Sequence, residues 1–314
     1  MSINSCAEIT IGLPVFNEER FIRETIQSLL DQDFQDFKLI IADNCSSDRT
    51  YEICEEYSQI DSRVVLHQHS KNLGASRNFN YVLQTSKSPY FLWAGSHDLW
   101  SRNFLSETHS CLQTHPDAVL AYCPTQVIDA HGELKEALVE NAEYIEPIPT
   151  QRACRLITSL TWCNMFYGLY RTEALQPCRH DLKCIGPDHV ILMELALRGE
   201  IRVAPNATFF RREYRPSCNS DLDNHRAQLQ RIVGEDDVSR ALATRYTQWW
   251  WQHLKSAWRV PGSFRQKLLR LQKISCCFVN RWGSGMEFKS IVYPHQAFRI
   301  LTSPLQQKQN SDSC

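Results

Sequence analysis

The strongest constraint on this chain lies near its start, where short apolar runs closed by polar residues alternate with stretches of helical periodicity. Ile9, Ile11, Leu13 and Val15 form the first run, interrupted at Pro14 and ended at Asn17, and Phe21, Ile22, Ile26, Leu29 and Leu30 continue with helical spacing. Phe37 to Ala42 is almost wholly apolar, as a strand buried on both faces is. A turn over Asp43 to Ser47 follows, then a helical pattern at Tyr51, Ile53, Cys54 and Tyr57, with Ser46 or Ser47 expected as its cap. A third round runs from Val64, Val65 and Leu66 through Asn72-Leu73-Gly74 to Phe79, Val82 and Leu83, and Tyr90 to Ala94 reads as a fourth strand. Such alternation predicts an α/β fold, with a mostly parallel sheet covered by helices on both faces.

After Asp98 the rhythm changes. A helix is expected from about Arg102 to Thr114, then a strand over Ala118 to Cys123 and a second one after the Asp129-Ala130-His131-Gly132 turn, as in a hairpin at a mixed edge. Met165 to Tyr170 reads as a strand, Asp188 to Arg198 as an amphipathic helix, and Ala207 to Tyr214 as the last strand. From Arg226 onward the pattern is helical only. Charge divides at the same point: the 314 residues sum to a net charge of −1, yet Arg226 to Cys314 holds 14 basic and 5 acidic residues. We therefore expect a body over residues 1–225 and a basic, tryptophan-containing helical region over residues 226–314.

Several classes lose support. The near-neutral sum and acidic body argue against a protein built for nucleic acid. No Gly-x-Gly-x-x-Gly or Gly-x-x-x-x-Gly-Lys-Ser/Thr loop is present, against dinucleotide oxidoreductases and phosphate-loop NTPases. Nucleotidyl transfer is disfavoured, since residues 9–25 lack a glycine-rich, lysine-containing loop. The 13 cysteines form no Cys-x-x-Cys pair, and Met1 to Ile9 lacks the basic-then-apolar pattern of a signal peptide. Reduced thiols and a cytoplasmic location are expected. With no apolar stretch of the ~18 residues a membrane span needs, any membrane contact is expected to be peripheral, at the inner face.

In an open parallel sheet, ligands bind beyond the carboxyl ends of the strands. There this chain carries Asn17 and Glu18, then Asp43 and Asn44, then Asn72 and Arg77, then Ser96, His97 and Asp98. Asp43 and Asn72 alone read equally well as turn and cap residues. Four consecutive strand ends bearing such groups point to a ligand.

The segments Ile11-Gly12-Leu13-Pro14-Val15-Phe16-Asn17-Glu18-Glu19, Ile40 to Thr50 and Asn72-Leu73-Gly74-Ala75-Ser76-Arg77-Asn78 together resemble the nucleotide-binding half of family 2 glycosyltransferases of GT-A fold. The resemblance extends more weakly through Gly168 to Arg171 and Asp188, over roughly residues 9–215. It implies that Pro14, Phe16, Asn17 and Glu18 lie against a nucleoside, with Phe16 near the base and Glu18 near the ribose. Asp43 would accept a hydrogen bond from the base imide, with Asn72 lining the same site and Arg77 near base and pyrophosphate. Asp98 would be the last residue of a metal-binding Asp-x-Asp signature whose earlier positions are here Ser96 and His97. A divalent cation would grip both phosphates there, Mg²⁺ with one carboxylate, phosphates and water, or Mn²⁺ if His97 contributes. His97 reads otherwise as a solvent-facing loop histidine.

Asp188 is the expected general base, taking a proton from an acceptor hydroxyl, although Pro187-Asp188 is also good helix-start chemistry. A single base with direct displacement implies inversion. Arg211, Arg212 and Arg215, with His225 nearby, would either close over the diphosphate or form a solvated edge. The resemblance thus implies an inverting transferase that takes a UDP-, GDP- or dTDP-sugar to a saccharide or lipid-linked acceptor, in surface polysaccharide or glycoconjugate assembly. A non-catalytic sugar-nucleotide-binding or scaffold protein is the alternative, because the metal signature is thinned. Trp249 to Trp251 and their basic neighbours fit either packing onto the body or an anionic bilayer surface.

Overall fold

The computed structural model describes residues 6–138, 141–178, 182–214 and 242–283, with 223, 225–227, 229 and 230 between. Strand β1 (Ile9–Val15) is buried along its whole length, as its apolar sequence requires, and lies between two parallel neighbours. On one side are β2 (Phe37–Asp43) and then β3 (Val64–Gln68), and on the other is β4 (Tyr90–Trp93). Helices α1 (Ile22–Leu30), α2 (Thr50–Ile60) and α3 (Ala75–Thr85) make the crossovers.

Beyond β4 the sheet becomes mixed. Strand β9 (Leu169–Arg171) runs antiparallel to both β4 and β6 (Ala118–Tyr122), and β10 (Glu200–Val203) pairs parallel with β6. Among the described residues the order is β10-β6-β9-β4-β1-β2-β3. A second sheet stacks β5 (Leu99–Trp100), β11 (Phe209–Arg212), β7 (Thr125–Ile128) and β8 (Leu134–Leu138) in that order. Helices α4 (Phe104–Thr114), α5 (Pro149–Ser159), the single turn α6 (Thr172–Leu175), α7 (Pro187–Arg198), α8 (Arg245–Arg259) and α9 (Phe264–Trp282) complete the described elements.

The alternation of side chains across the main sheet divides the core in two. Tyr90 and Leu92 join Ile22, Ile26, Ile53 and Leu105 on the face covered by α1, α2 and α4. Phe91 and Trp93 join Val82, Leu156, Leu192, Trp249 and Phe278 on the face covered by α3, α5 and α7, where α8 and α9 add a further layer. The expected α/β architecture is the one observed.

Local expectations need correction in four places. The strand after the Asp129–Gly132 turn pairs with β7, not with β6. Pro124 parts β6 from β7, and its carbonyl accepts from Phe209 N at 3.0 Å as the chain passes into the second sheet. Asn164–Tyr167 is a 3₁₀ turn and only Leu169–Arg171 is strand. Neither Ser46 nor Ser47 caps α2, because Asp48 Oδ1 accepts from Thr50 N at 3.0 Å instead. Last, β5, β7, β10, α5 and the single turn α6 went unread in the sequence. Arg215 and residues 231–241 and 284–314 lie outside the described residues.

Candidate functional site

From β1 the chain crosses to β2 and β3 on one side, then returns from β3 past β1 to β4 on the other. That reversal opens a crevice at the carboxyl ends, where a ligand can reach backbone and side chains of both halves. The first wall is the β1–β2 end. Asn17 adopts φ 53°, a left-handed conformation that asparagine tolerates better than most residues. Its Oδ1 accepts from Ser47 N at 2.8 Å, and its own N–H donates to Ser46 Oγ at 3.0 Å. The two serines expected to cap a helix therefore brace the Pro14–Glu18 turn. Phe16, just beyond the buried strand, stays 42% exposed.

Asp43 ends β2 with no exposed surface. Its Oδ2 accepts from Ser46 N at 3.1 Å and Gln68 Nε2 at 3.2 Å, while its Oδ1 is buried without a partner. An acceptor left unpaired in this way costs on the order of 1–3 kcal/mol unless something donates to it. Asn72 is exposed but its Oδ1 accepts from Asn44 Nδ2 and Gly74 N, both at 2.8 Å, fixing the loop that leads into α3. Arg77, on the first turn of α3, is exposed.

The second wall is the β4 end. Asp98 is almost fully buried, and Arg212 N donates to its Oδ1 at 2.9 Å. Its Oδ2 folds back over Gly95, where a Cβ would stand 2.2 Å away, so a side chain there would push the carboxylate aside. Burial pushes the Asp98 carboxyl above its ordinary value, against the opposing pull of His97, Arg211 and Arg212. His97 is half-buried; its Nδ1 stands 3.4 Å from Glu18 Oε1, and its ring meets Tyr214 edge-on. Tyr214 OH in turn donates to both Glu18 oxygens at 3.1 Å. Glu18, His97 and Tyr214 thus tie together the ends of β1, β4 and β11.

The third wall is the start of α7. Asp188 Oδ1 accepts from His189 N at 2.9 Å, and burial raises its carboxyl above the usual range. A raised carboxyl is a better proton acceptor once ionised. The charges of Asp98 and Asp188 both act on Tyr167, and Arg211 acts on both carboxylates, so these side chains lie within electrostatic reach of one another.

Adjacent arginines divide their labour because a strand sends successive side chains to opposite faces. Arg212 is buried: it donates to His97 O at 2.9 Å and Glu24 Oε2 at 2.6 Å, with its guanidinium 4.7 Å from the Phe21 ring centroid. Arg211 lies over Trp162 at 4.7 Å and donates to Asn164 Oδ1 at 3.4 Å. Arg212 is therefore a clamp and Arg211 the cation of the crevice. Tyr167, Asn164 and Tyr214 were missed in the sequence; only their places beside strand ends could have flagged them.

Could the residues present hold a cation? Among the described residues no three His, Cys, Asp or Glu side chains gather into a cage. Asp98 offers one desolvated carboxylate. That suits a cation which takes its other ligands from phosphate and water.

Comparison with known proteins bears on the family and the fold. Residues 10–176 match the family described as glycosyl transferase family 2. The putative teichuronic acid biosynthesis glycosyltransferase TuaG of Bacillus subtilis is 30% identical over 99 residues, which is 32% of this chain and 39% of TuaG. The chain spans well under two thirds of the length of the curated relatives it matches first. Among solved structures, Staphylococcus aureus TarS 1–349 in complex with UDP superposes with a TM-score of 0.60 at 18% identity, over 93% of this chain and 78% of that one. The mannosyltransferase PcManGT of Pyrobaculum calidifontis, in complex with GDP-Man and Mn²⁺, gives 0.51 at 14% identity, over 95% and 79%.

Proposed function

The chain belongs to glycosyl transferase family 2 and has the GT-A fold, and on that premise we propose that it is an inverting glycosyltransferase, moving a sugar from a nucleoside diphosphate to a hydroxyl acceptor. The observation that carries this reading is the buried, unpartnered Oδ1 of Asp43 at the carboxyl edge of the sheet. It is an acceptor waiting for a donor. Uracil, thymine and guanine each offer a ring N–H beside a carbonyl, whereas cytosine has a bare nitrogen at that place, so UDP, dTDP and GDP fit and CMP does not. Phe16, exposed at the lip, supplies a planar apolar face for the base, and Glu18 and Asn17 border the ribose.

The diphosphate then lies between Arg77, Arg211 and Asp98. Asp98 is the protein carboxylate that would touch a divalent cation, Mg²⁺ or Mn²⁺, with His97 beside it. When bound, such a cation offsets charge that builds on the leaving diphosphate. Arg211 does the same from the other side of the crevice. Asp188 takes the proton from the acceptor hydroxyl as that oxygen bonds to the anomeric carbon, and the bond from that carbon to the diphosphate oxygen breaks with its electron pair. One displacement inverts the centre.

Solved relatives in complex with UDP and with GDP-Man and Mn²⁺ support the donor class, and the name of TuaG supports a setting in cell-surface polymer assembly. The test is Asp188→Asn. Turnover should fall by about 10²–10⁴-fold with nucleotide affinity unchanged. A wild type that binds nucleotide but turns over no sugar donor with any hydroxyl acceptor would instead mark a sugar-nucleotide-binding module.

A further inference from the structure

The tryptophans of the C-terminal helices serve two purposes. Trp249 is buried, its Nε1 donating to Gly186 O at 3.1 Å, and Trp250 donates to Ser275 Oγ at 3.0 Å between the two helices. His253, Ala257, Ile274 and Phe278 complete that inner face against the body. The outer face is different. Trp251 is 51% exposed, Trp258 39%, Phe264 69%, and Leu268 and Leu269 48% and 49%.

Trp251, Lys255, Trp258, Phe264 and Lys267 form one surface. Trp251, Lys255 and Trp258 follow one another at helical spacing on α8. The Trp258 and Phe264 rings are 6.0 Å apart, bridging α8 to α9. Lys255 Nζ stands 5.5 Å from the Trp251 ring centroid and Lys267 Nζ 5.1 Å from that of Trp258. Trp251 and Trp258 thus each carry an ammonium group.

We propose that this outer face of the α8–α9 hairpin docks on an anionic lipid surface. Charge decides the occupant. Residues 245–283 contain eight Lys and Arg and no Asp or Glu, whereas the rest of the chain sums to nine net negative charges. A merely solvated helix face mixes both signs. Near an anionic bilayer this chain is a dipole: the hairpin is drawn in and the acidic body pushed away, which fixes the face that lands. Tryptophan rings suit the headgroup depth, and lysine stems lie along apolar surface while the ammonium meets phosphate. No described helix is long and apolar enough to cross a membrane, so the hairpin would lie on the surface. The proposal does not depend on the transferase reading.

The test is flotation of the full chain with vesicles of phosphatidylcholine alone and of phosphatidylcholine with 30% phosphatidylglycerol (about a third anionic lipid, enough to set a surface potential). The chain should float with the anionic vesicles only, and lose binding as NaCl is raised. Each basic side chain near such a surface adds about fivefold to partitioning, so K255E with K267E should lower it at least about tenfold. Trp251→Ser with Trp258→Ser should weaken it too, with thermal midpoints held in both variants. Failure to float, equal flotation with neutral vesicles, or binding indifferent to both pairs of substitutions would overturn the proposal. So would concentration-dependent dimers that the tryptophan substitutions abolish, since a second copy would then cover the face. Vesicle binding is read without turnover, so its failure stands apart from any failure of nucleotide binding.

Discussion

Three carboxylates carry the account at the scale of residues, and each has its own signature. Asp43→Ala removes the acceptor proposed for the base and frees Ser46 N and Gln68 Nε2. Nucleotide affinity should fall by about 1–3 kcal/mol in titration calorimetry. Asp98 is disfavoured as an anion by burial, so the stability it contributes is present below its unfolded value of 3.8 and lost as pH rises through its higher folded value. Asp98→Asn keeps an oxygen for Arg212 N and cannot ionise. Its thermal midpoint should therefore gain on the wild type as pH rises from 4 towards 7 in the absence of nucleotide and cation. A midpoint difference flat across that range would show that burial does not tax this carboxylate. For Asp188 the sign is the same, and the acidic limb of the rate should lie above the ordinary carboxylate range. The strand ends were legible because polar groups there interrupt apolar runs. Which of Arg211 and Arg212 enters the crevice was not: that depends on which face of β11 looks inward, and register against β5 and β7 sets it.

Between elements, the junction of α7 and α8 governs where Asp188 sits. Gly186 adopts φ 53°, two residues before Asp188, and a Cβ there would meet the Trp249 ring at 3.0 Å. Trp249→Phe keeps an aromatic ring but loses the hydrogen bond to Gly186 O, and should cost about 1 kcal/mol of stability while lowering turnover more than donor affinity. Turnover unchanged in that variant would free the base helix from α8. Behind the junction His253 Nδ1 donates to Trp249 O at 2.8 Å and His189 Nδ1 to His253 Nε2 at 2.9 Å, which requires the His253 ring to be neutral. Burial lowers both histidines, His253 to about 4. Their stability is complete above the unfolded value of 6.5 and lost as pH falls towards the folded one. Thermal midpoints should drop between pH 6.5 and 4, less steeply in His253→Gln. Elements that continue the strand–helix alternation were legible; α5 and the shortest strands, which fall outside it, were not. Glu200-Ile-Arg-Val is an edge strand with charges in it, β5 has two residues, and the apolar run at Met165 fits strand and helical turn alike.

At the scale of the molecule, the alternation of strands and helices yields a sheet whose reversal at β1 opens one crevice, and the strand-end residues read from the sequence border it. The separation of charge seen in the sequence is also spatial. The basic hairpin backs the helix that carries Asp188, buries one set of tryptophans against it and exposes another. Packing and surface display, alternatives in the sequence, prove to be properties of different tryptophans, because α8 has two faces and the triplet Trp249 to Trp251 spans both. The central claim is that the crevice binds a nucleoside diphosphate through Asp43. It is tested most directly by calorimetry of UDP, GDP, dTDP and CMP with the wild type and Asp43→Ala, each with and without Mg²⁺ or Mn²⁺. One nucleotide with a ring N–H should bind, more tightly with the cation and at least about fivefold more weakly in the variant, and CMP should not bind. Binding of none of the four under any condition, or binding indifferent to Asp43, would contradict the account.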